Sequence, residues 1–146
     1  MTEYKRVFLD TTPLIYLLDA DTTYGEKVCE ILETLLNHNV QIVTSTITVA
    51  EYLVYPYRKD NLEKIDAFEE FLKECDISVY PVDYETARKA AWIRAMYDHF
   101  KAMDSLQLAA ACVHHCQLFI TNDRQLRQFR ELKCITLDEW NDAGEA

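Results

Sequence analysis

Four acidic residues stand where acids do chemistry: Asp10, Glu51, Asp104 and Asp123. Asp10 closes the apolar run "VFLD", and Asp123 closes "LFITND". Glu51 lies in the first turns after "VTS", within "STITVAEYL", and Asp104 opens the small, apolar run "DSLQLAAAC". Buried acids are rare unless something pairs with them. Clustered carboxylates raise one another's pKa unless a cation joins them. All-oxygen ligands favour Mg2+ or Mn2+ over softer metals. If the four converge, they predict a hard divalent cation. Each also has a plainer explanation. Asp10, Asp104 and Asp123 stand where helix N-caps stand, and Glu51 suits an exposed helix face.

The elements that must bring them together alternate along the chain. Strands are predicted at "KRVFLD", "VQIVTS", "ISVYPV", "QLFITND" and "KCITLDEW". Helices are predicted between them. "TPLIYLLDA" starts with Thr12 placed to cap and Pro13 at the first helical position, so Asp10 is not needed as the cap. "GEKVCEILETLLNHN" carries Val28, Ile31, Leu32 and Leu35 at helical spacing. "TITVAEYLVY" is expected to stop at Pro56. "DNLEKIDAFEEFLKEC" turns Leu62, Ile65, Phe68, Phe71 and Leu72 inward. "YETARKAAWIRAMYDHF", "MDSLQLAAACVHHC" and "RQLRQFREL" complete the set. Such alternation predicts an α/β fold: three layers, α/β/α, with a mostly parallel, five-stranded sheet. Ligands of open parallel sheets bind beyond the carboxyl ends of the strands. Asp10, Glu51 and Asp123 all follow strands, so they are predicted to meet on one edge. Ala109, Ala110 and Ala111 allow the helix of Asp104 to pack closely beneath it.

Composition narrows the chemistry. A length of 146 residues and a 49% apolar fraction fit a single domain, residues 1–146, with a full core. No run is long enough for a membrane span or a signal peptide, so a cytoplasmic protein is expected. The five cysteines are scattered without a C-x-x-C pair, which predicts reduced thiols packed as small apolar groups. "CVHHC", residues 112–116, lacks the distant second ligand pair of a structural zinc site. Gly25 and Gly144 are the only glycines, so no Gly-rich loop can cradle a phosphate. No serine stands in a G-x-S-x-G context. The net charge of −10 argues against a large nucleic-acid interface held by bulk electrostatics. It leaves room for a small groove with a basic rim and bound cations.

Four stretches in order, "VFLDTTPLIYLLD", "TSTITVAEYLVYP", "KAMDSLQLAAA" and "LFITNDRQL", resemble the motifs of PIN-domain ribonucleases, in particular the VapC-type toxins of prokaryotic toxin–antitoxin pairs. The resemblance spans most of the chain. It implies a PIN-like fold and Mg2+- or Mn2+-dependent hydrolysis of RNA phosphodiester bonds. It implies metal and catalytic roles for Asp10, Glu51, Asp104 and Asp123. Supporting roles fall on Thr11 or Thr12, and on Thr121 and Asn122. Glu51 is left open between a second metal, an outer-shell water and orienting the nucleophile. The resemblance also implies a homodimer and a cognate antitoxin covering the groove. The chain departs from the pattern at Gln107, where many relatives carry a histidine, and at Leu126, where many carry an aromatic. Neither is a usual metal ligand, so both are expected to leave the chemistry intact.

RNA must still approach an acidic protein. Arg124, Arg127 and Arg130 recur at three-residue spacing, one helical face. Arg88, Lys89, Arg94 and Lys101 precede Asp104. Arg94, Lys101, Arg124 and Arg127 are the candidate RNA contacts, with "YPYRK" adding aromatics that could stack on unpaired bases. Two other acid-rich α/β folds fit less well. A haloacid-dehalogenase-type phosphatase needs a second aspartate where this chain has Thr12, and a receiver domain needs an acidic pair after its first strand. Within the resemblance, a non-toxin RNA-processing nuclease and a metal-bound interaction module using Tyr52, Tyr55 and Tyr57 are the alternatives.

Overall fold

The computed structural model describes residues 4–141. Gly144 and the outermost residues of the expected 1–146 domain lie outside them. Five strands are present among the described residues: β1 (Arg6–Leu9), β2 (Gln41–Ser45), β3 (Ser78–Tyr80), β4 (Leu118–Thr121) and β5 (Lys133–Thr136). They form one sheet in the order β3-β2-β1-β4-β5. Every pairing is parallel, so the sheet expected to be mostly parallel is wholly so. The helices are α1 (Thr11–Leu18), α2 (Gly25–Asn37), α3 (Thr46–Tyr52), α4 (Val54–Arg58), α5 (Leu62–Glu74), α6 (Tyr84–Met96) and α7 (Ala102–Val113). Short 3-10 turns span Arg124–Gln128 and Leu137–Glu139.

Strand pleating builds the three layers, because successive side chains leave opposite faces. Val7 and Leu9 join Ile42, Leu118, Ile120 and Ile135 beneath Leu14 of α1 and Val28, Ile31, Leu32 and Leu35 of α2. Phe71 and Leu72 of α5 pack against the same cluster. Phe8, Val43, Phe119 and Cys134 face the other way, toward Ile93 of α6 and Leu108 to Ala111 of α7. Phe8 and Phe119 are register partners, and their rings stack 5.1 Å apart. Ala109, Ala110 and Ala111 are fully buried, so their small side chains let α7 lie close to the sheet. The chain runs outward from β1 to β2 and β3 with α1, α2 and α5 on one face. It returns from β3 to β4 with α6 and α7 on the other. Opposite direction on opposite face is what right-handed crossovers require.

Local details depart from the sequence pattern. The expected helix through Tyr55 breaks at Leu53, and Pro56 sits inside α4 as its third residue. An N–H there has no intrahelical partner anyway, so proline costs little. Leu62, expected inward, opens α5 and is 65% exposed. The helix expected over residues 124–132 is only the 3-10 turn, which buries Leu126 while Phe129 ends it. The five thiols are free, but Cys29 lies at the surface rather than in the core. Five helices end on a non-glycine residue with positive φ: Ala20, Asn39, Asp60, Asp76 and His115. In each case the next N–H reaches back to a carbonyl of the last turn, as in Asp21 N to Tyr16 O at 2.8 Å. Among the described residues no helix is long and apolar enough to cross a membrane.

Candidate active site

β1 lies where the strand order reverses, with β2 and β3 added on one side and β4 and β5 on the other. Connections leave such a point in opposite directions and open a crevice beyond the strand ends. Asp10, Glu51, Asp104 and Asp123 all line one pocket of about 460 Å³, together with Thr12, Tyr16, Lys101, Thr121 and Asn122. β1 delivers Asp10, the second turn of α3 delivers Glu51, the first turn of α7 delivers Asp104, and the end of β4 delivers Asp123.

Asp10 is buried and held on both oxygens. Oδ1 accepts from the Thr11 N–H at 2.9 Å and from Gln107 Nε2 at 3.3 Å. Oδ2 accepts from the Thr121 hydroxyl at 2.8 Å. Its own N–H bonds the Ile120 carbonyl at 3.0 Å, which locks β1 to β4. Asp10 is therefore the N-cap of α1, against the expectation that Thr12 takes that place. The helix begins two residues earlier than its proline suggests, and Pro13 occupies the third position. Burial pushes the Asp10 carboxyl up to about 6, opposed by the Thr121 and Thr11 hydrogen bonds and helped by the charges of Asp104 and Glu51.

Asp104 is half-buried. Burial first, then Asp123 and Glu51, raise it above the usual carboxylate range, while Lys101 opposes. Glu51 reaches the pocket from an exposed position and accepts from the Thr11 hydroxyl at 2.6 Å. Asp123 caps the following 3-10 turn through the Gln125 N–H at 2.9 Å. Thr121 serves twice, since its Oγ1 also accepts from the Asp123 N–H at 3.1 Å. Asn122 donates to the Tyr16 hydroxyl at 3.0 Å and so fixes the pocket wall rather than an acid.

A family model, the PIN domain, matches residues 7–132. The chain belongs to the PIN-domain family. No curated protein matches it in sequence. Solved structures share its fold. A chain of the Rickettsia felis VapBC2 structure, bound to a DNA fragment from its promoter, is 18% identical with a TM-score of 0.73, covering 90% of this chain and 98% of that one. A toxin–antitoxin complex from Klebsiella pneumoniae gives 20% identity and a TM-score of 0.72, with coverages of 90% and 97%. The VapC20 toxin of Mycobacterium tuberculosis, described as cleaving the sarcin–ricin loop, gives 16% and 0.64, with coverages of 87% and 98%. At such identities the likeness is one of fold.

The PIN-domain pocket suits a hard divalent cation by its donor chemistry. Among the described residues it offers four carboxylates, hydroxyls and one lysine, with neither thiol nor imidazole. Among the described residues no three His, Cys, Asp or Glu side chains form a closed metal-holding group. The carboxylates are thus arrayed around the pocket, not drawn to one point.

The basic candidates divide sharply. Lys101 lines the pocket, whereas Arg94, Arg124 and Arg127 are exposed outside its lining. Arg127 pairs with Glu139 at 3.4 Å. Arg88 lies over Tyr84, and Lys89 bonds Glu131 and lies over Trp92, so both serve α6 instead. Three polar residues carry contacts the sequence does not show: Ser45 and Thr48, which no motif marks, and Gln107, which stands out there only as a departure from the family pattern. All are buried beside Asp10 and Thr11. One signal was present. A glutamine amid leucines and alanines, one turn beyond Asp104, has to face either solvent or the site.

Proposed function

We propose that this PIN-domain protein is a metal-dependent endoribonuclease, hydrolysing RNA phosphodiester bonds, and that it is the toxin of a type II toxin–antitoxin pair. One observation supports the reading above the rest: four acids far apart in sequence line a single pocket at the strand ends. Asp10, Asp104 and Asp123 would hold Mg2+ or Mn2+, with Glu51 beside them. Such an ion, when bound, lowers the pKa of its water and supplies hydroxide near neutral pH. The protein's own contribution is placement. Thr121, Thr11 and Gln107 clamp the Asp10 carboxylate, and the Thr11 hydroxyl steers Glu51 to the pocket. Lys101, the one cation among the described residues lining the pocket, is placed to meet a phosphate.

The toxin assignment draws on the fold neighbours, which include toxin–antitoxin complexes. A homodimer and a masking antitoxin belong to the same proposal. Tyr55 and Tyr57, 58% and 63% exposed, offer a surface for a partner chain, whereas Tyr52 is buried against Phe68. That surface also favours the second reading, an interaction module with little activity. The test is RNA cleavage by the purified chain, with Mg2+ or Mn2+ and with EDTA. Cleavage should stop with EDTA and fall about 100-fold or more in Asp10→Asn and in Asp104→Asn. Full activity in either variant would overturn the site. No cleavage under any condition would favour the module. Growth arrest on induction, relieved by a small protein encoded alongside, separates a toxin from an RNA-processing enzyme.

A further inference from the structure

Gln107 lies on α7 one turn beyond Asp104 and is 1% exposed. A buried amide is costly unless its hydrogen bonds are made. Here they are made in a fixed direction. Ser45 Oγ accepts from the Ile47 N–H at 3.1 Å and gives its own proton to Gln107 Oε1. That orients the amide, so its two hydrogens face Thr48 Oγ1 at 2.8 Å, and Asp10 Oδ1 and Thr11 Oγ1 at 3.3 Å each. Thr11 has one hydroxyl proton, and Glu51 takes it. Thr11 Oγ1 must then accept, from Gln107 and from Thr48, which lies 3.0 Å away. Donation therefore runs one way, from Ser45 through Gln107, Thr48 and Thr11 to Glu51, with a branch from Gln107 to Asp10. Chains of this kind strengthen when every member points the same way.

We infer that Gln107 is a positioning residue, coupling the Asp10 and Glu51 carboxylates so that both face the pocket as acceptors. The inference rests on reading those acids as holders of a divalent cation. It assigns Gln107 a part in cation affinity although it never touches the ion. A residue that merely filled the core would leave that affinity unchanged.

The test is Mn2+ binding by calorimetry on the purified chain, with thermal melts to establish folding. Gln107→Met, linear and apolar, should weaken Mn2+ binding about tenfold or more, the usual scale for partners behind metal ligands. Gln107→His keeps one N–H donor and one acceptor and should recover most of the loss. Thr48→Val removes the Thr48 link between Gln107 and Thr11, together with its 2.8 Å bond to Thr44, but keeps Gln107 on Asp10, and should weaken binding by about threefold, between native and Gln107→Met. It carries the test if Gln107→Met does not fold. Native affinity in folded Gln107→Met, or in Thr48→Val, overturns the positioning role. Asp10→Asn is the control. If it binds Mn2+ as tightly as the native chain, the cation reading itself falls, and the positioning role with it.

Discussion

The Thr11 hydroxyl lies 2.6 Å from Glu51 Oε1, which joins the helix after β1 to the helix after β2. The bond ties the turn that carries Asp10 to the helix that carries Glu51. Thr11→Val removes the hydroxyl and keeps the shape. Glu51 then keeps its charge but loses its aim. Cleavage of RNA should fall about 10- to 100-fold, in line with the loss of a residue behind a metal ligand. Stability should fall by about 1–3 kcal/mol, because Gln107 and Thr48 lose the same oxygen as an acceptor. Single-turnover cleavage beside a urea melt measures both. An unchanged rate would show that Glu51 needs no steering.

Asp10 makes stability depend on pH in a direction opposite to that of most acids. Its unfolded value is 3.8 and its folded value about 6, raised by burial. Between these values the unfolded chain is ionised while the folded one still holds its proton. Stability therefore falls as pH rises from about 4 to 6, by up to about 3 kcal/mol, and is flat above. Asp104, also raised, adds to the fall. A divalent cation favours the ionised carboxylates, so Mg2+ or Mn2+ should raise the melting temperature at pH 7. Asn is as good an N-cap as Asp. Asp10→Asn should thus keep the helix start, flatten the pH profile and melt higher than the native chain at pH 7 in EDTA. Identical profiles for the two proteins between pH 4 and 6 would refute the burial of Asp10 as the cause.

Much of this architecture was legible in the sequence because it is written in periodicity. "VFLD" and "LFIT" alternate across two buried faces, and α2 repeats at helical spacing. The strand ends followed, and with them the acids. What escaped was polar and buried. Asp10 both caps α1 and lines the pocket, whereas the sequence pattern makes those roles rivals. Gln107 departs from the family pattern and is not a usual metal ligand, so the pattern gives it no part in the chemistry, though it bonds Asp10 directly. Spacing shows which face a residue shares. It does not show which of several hydroxyls will meet a carboxylate once two helices pack. Prolines misled twice for one reason. Pro13 and Pro56 both stand third in their helices, where the pattern had one starting a helix and the other stopping it.

Ala20 ends α1 at φ 52°. An L-residue with a Cβ is strained there, by about 1–2 kcal/mol. Its N–H still bonds Leu17 O at 3.2 Å, so the conformation is imposed by the helix end. Ala20→Gly relieves the strain but adds freedom to the unfolded chain. The net gain should be about 0.5–1 kcal/mol in chemical denaturation, with RNA cleavage unchanged. A loss of stability would mean that the Ala20 methyl makes contacts worth more than the strain.

Lys101 and Arg127 are both near the site in sequence, but only Lys101 lines the pocket. Arg127 is already occupied by Glu139 at 3.4 Å. An arginine that must leave a carboxylate to meet a phosphate gains less than a lysine already facing the groove. Each phosphate neutralised on single-stranded RNA contributes about 0.7 to the slope of log affinity against log salt. Lys101→Ala should lower that slope by about this amount and weaken binding across sequences, whereas Arg127→Ala should change it less. The measurement is made by fluorescence anisotropy in the Asp104→Asn background, which leaves the RNA uncut. Equal effects from the two substitutions would place the RNA path over the 3-10 turn as well as the pocket. A slope unaffected by Lys101→Ala would remove that residue from the path altogether.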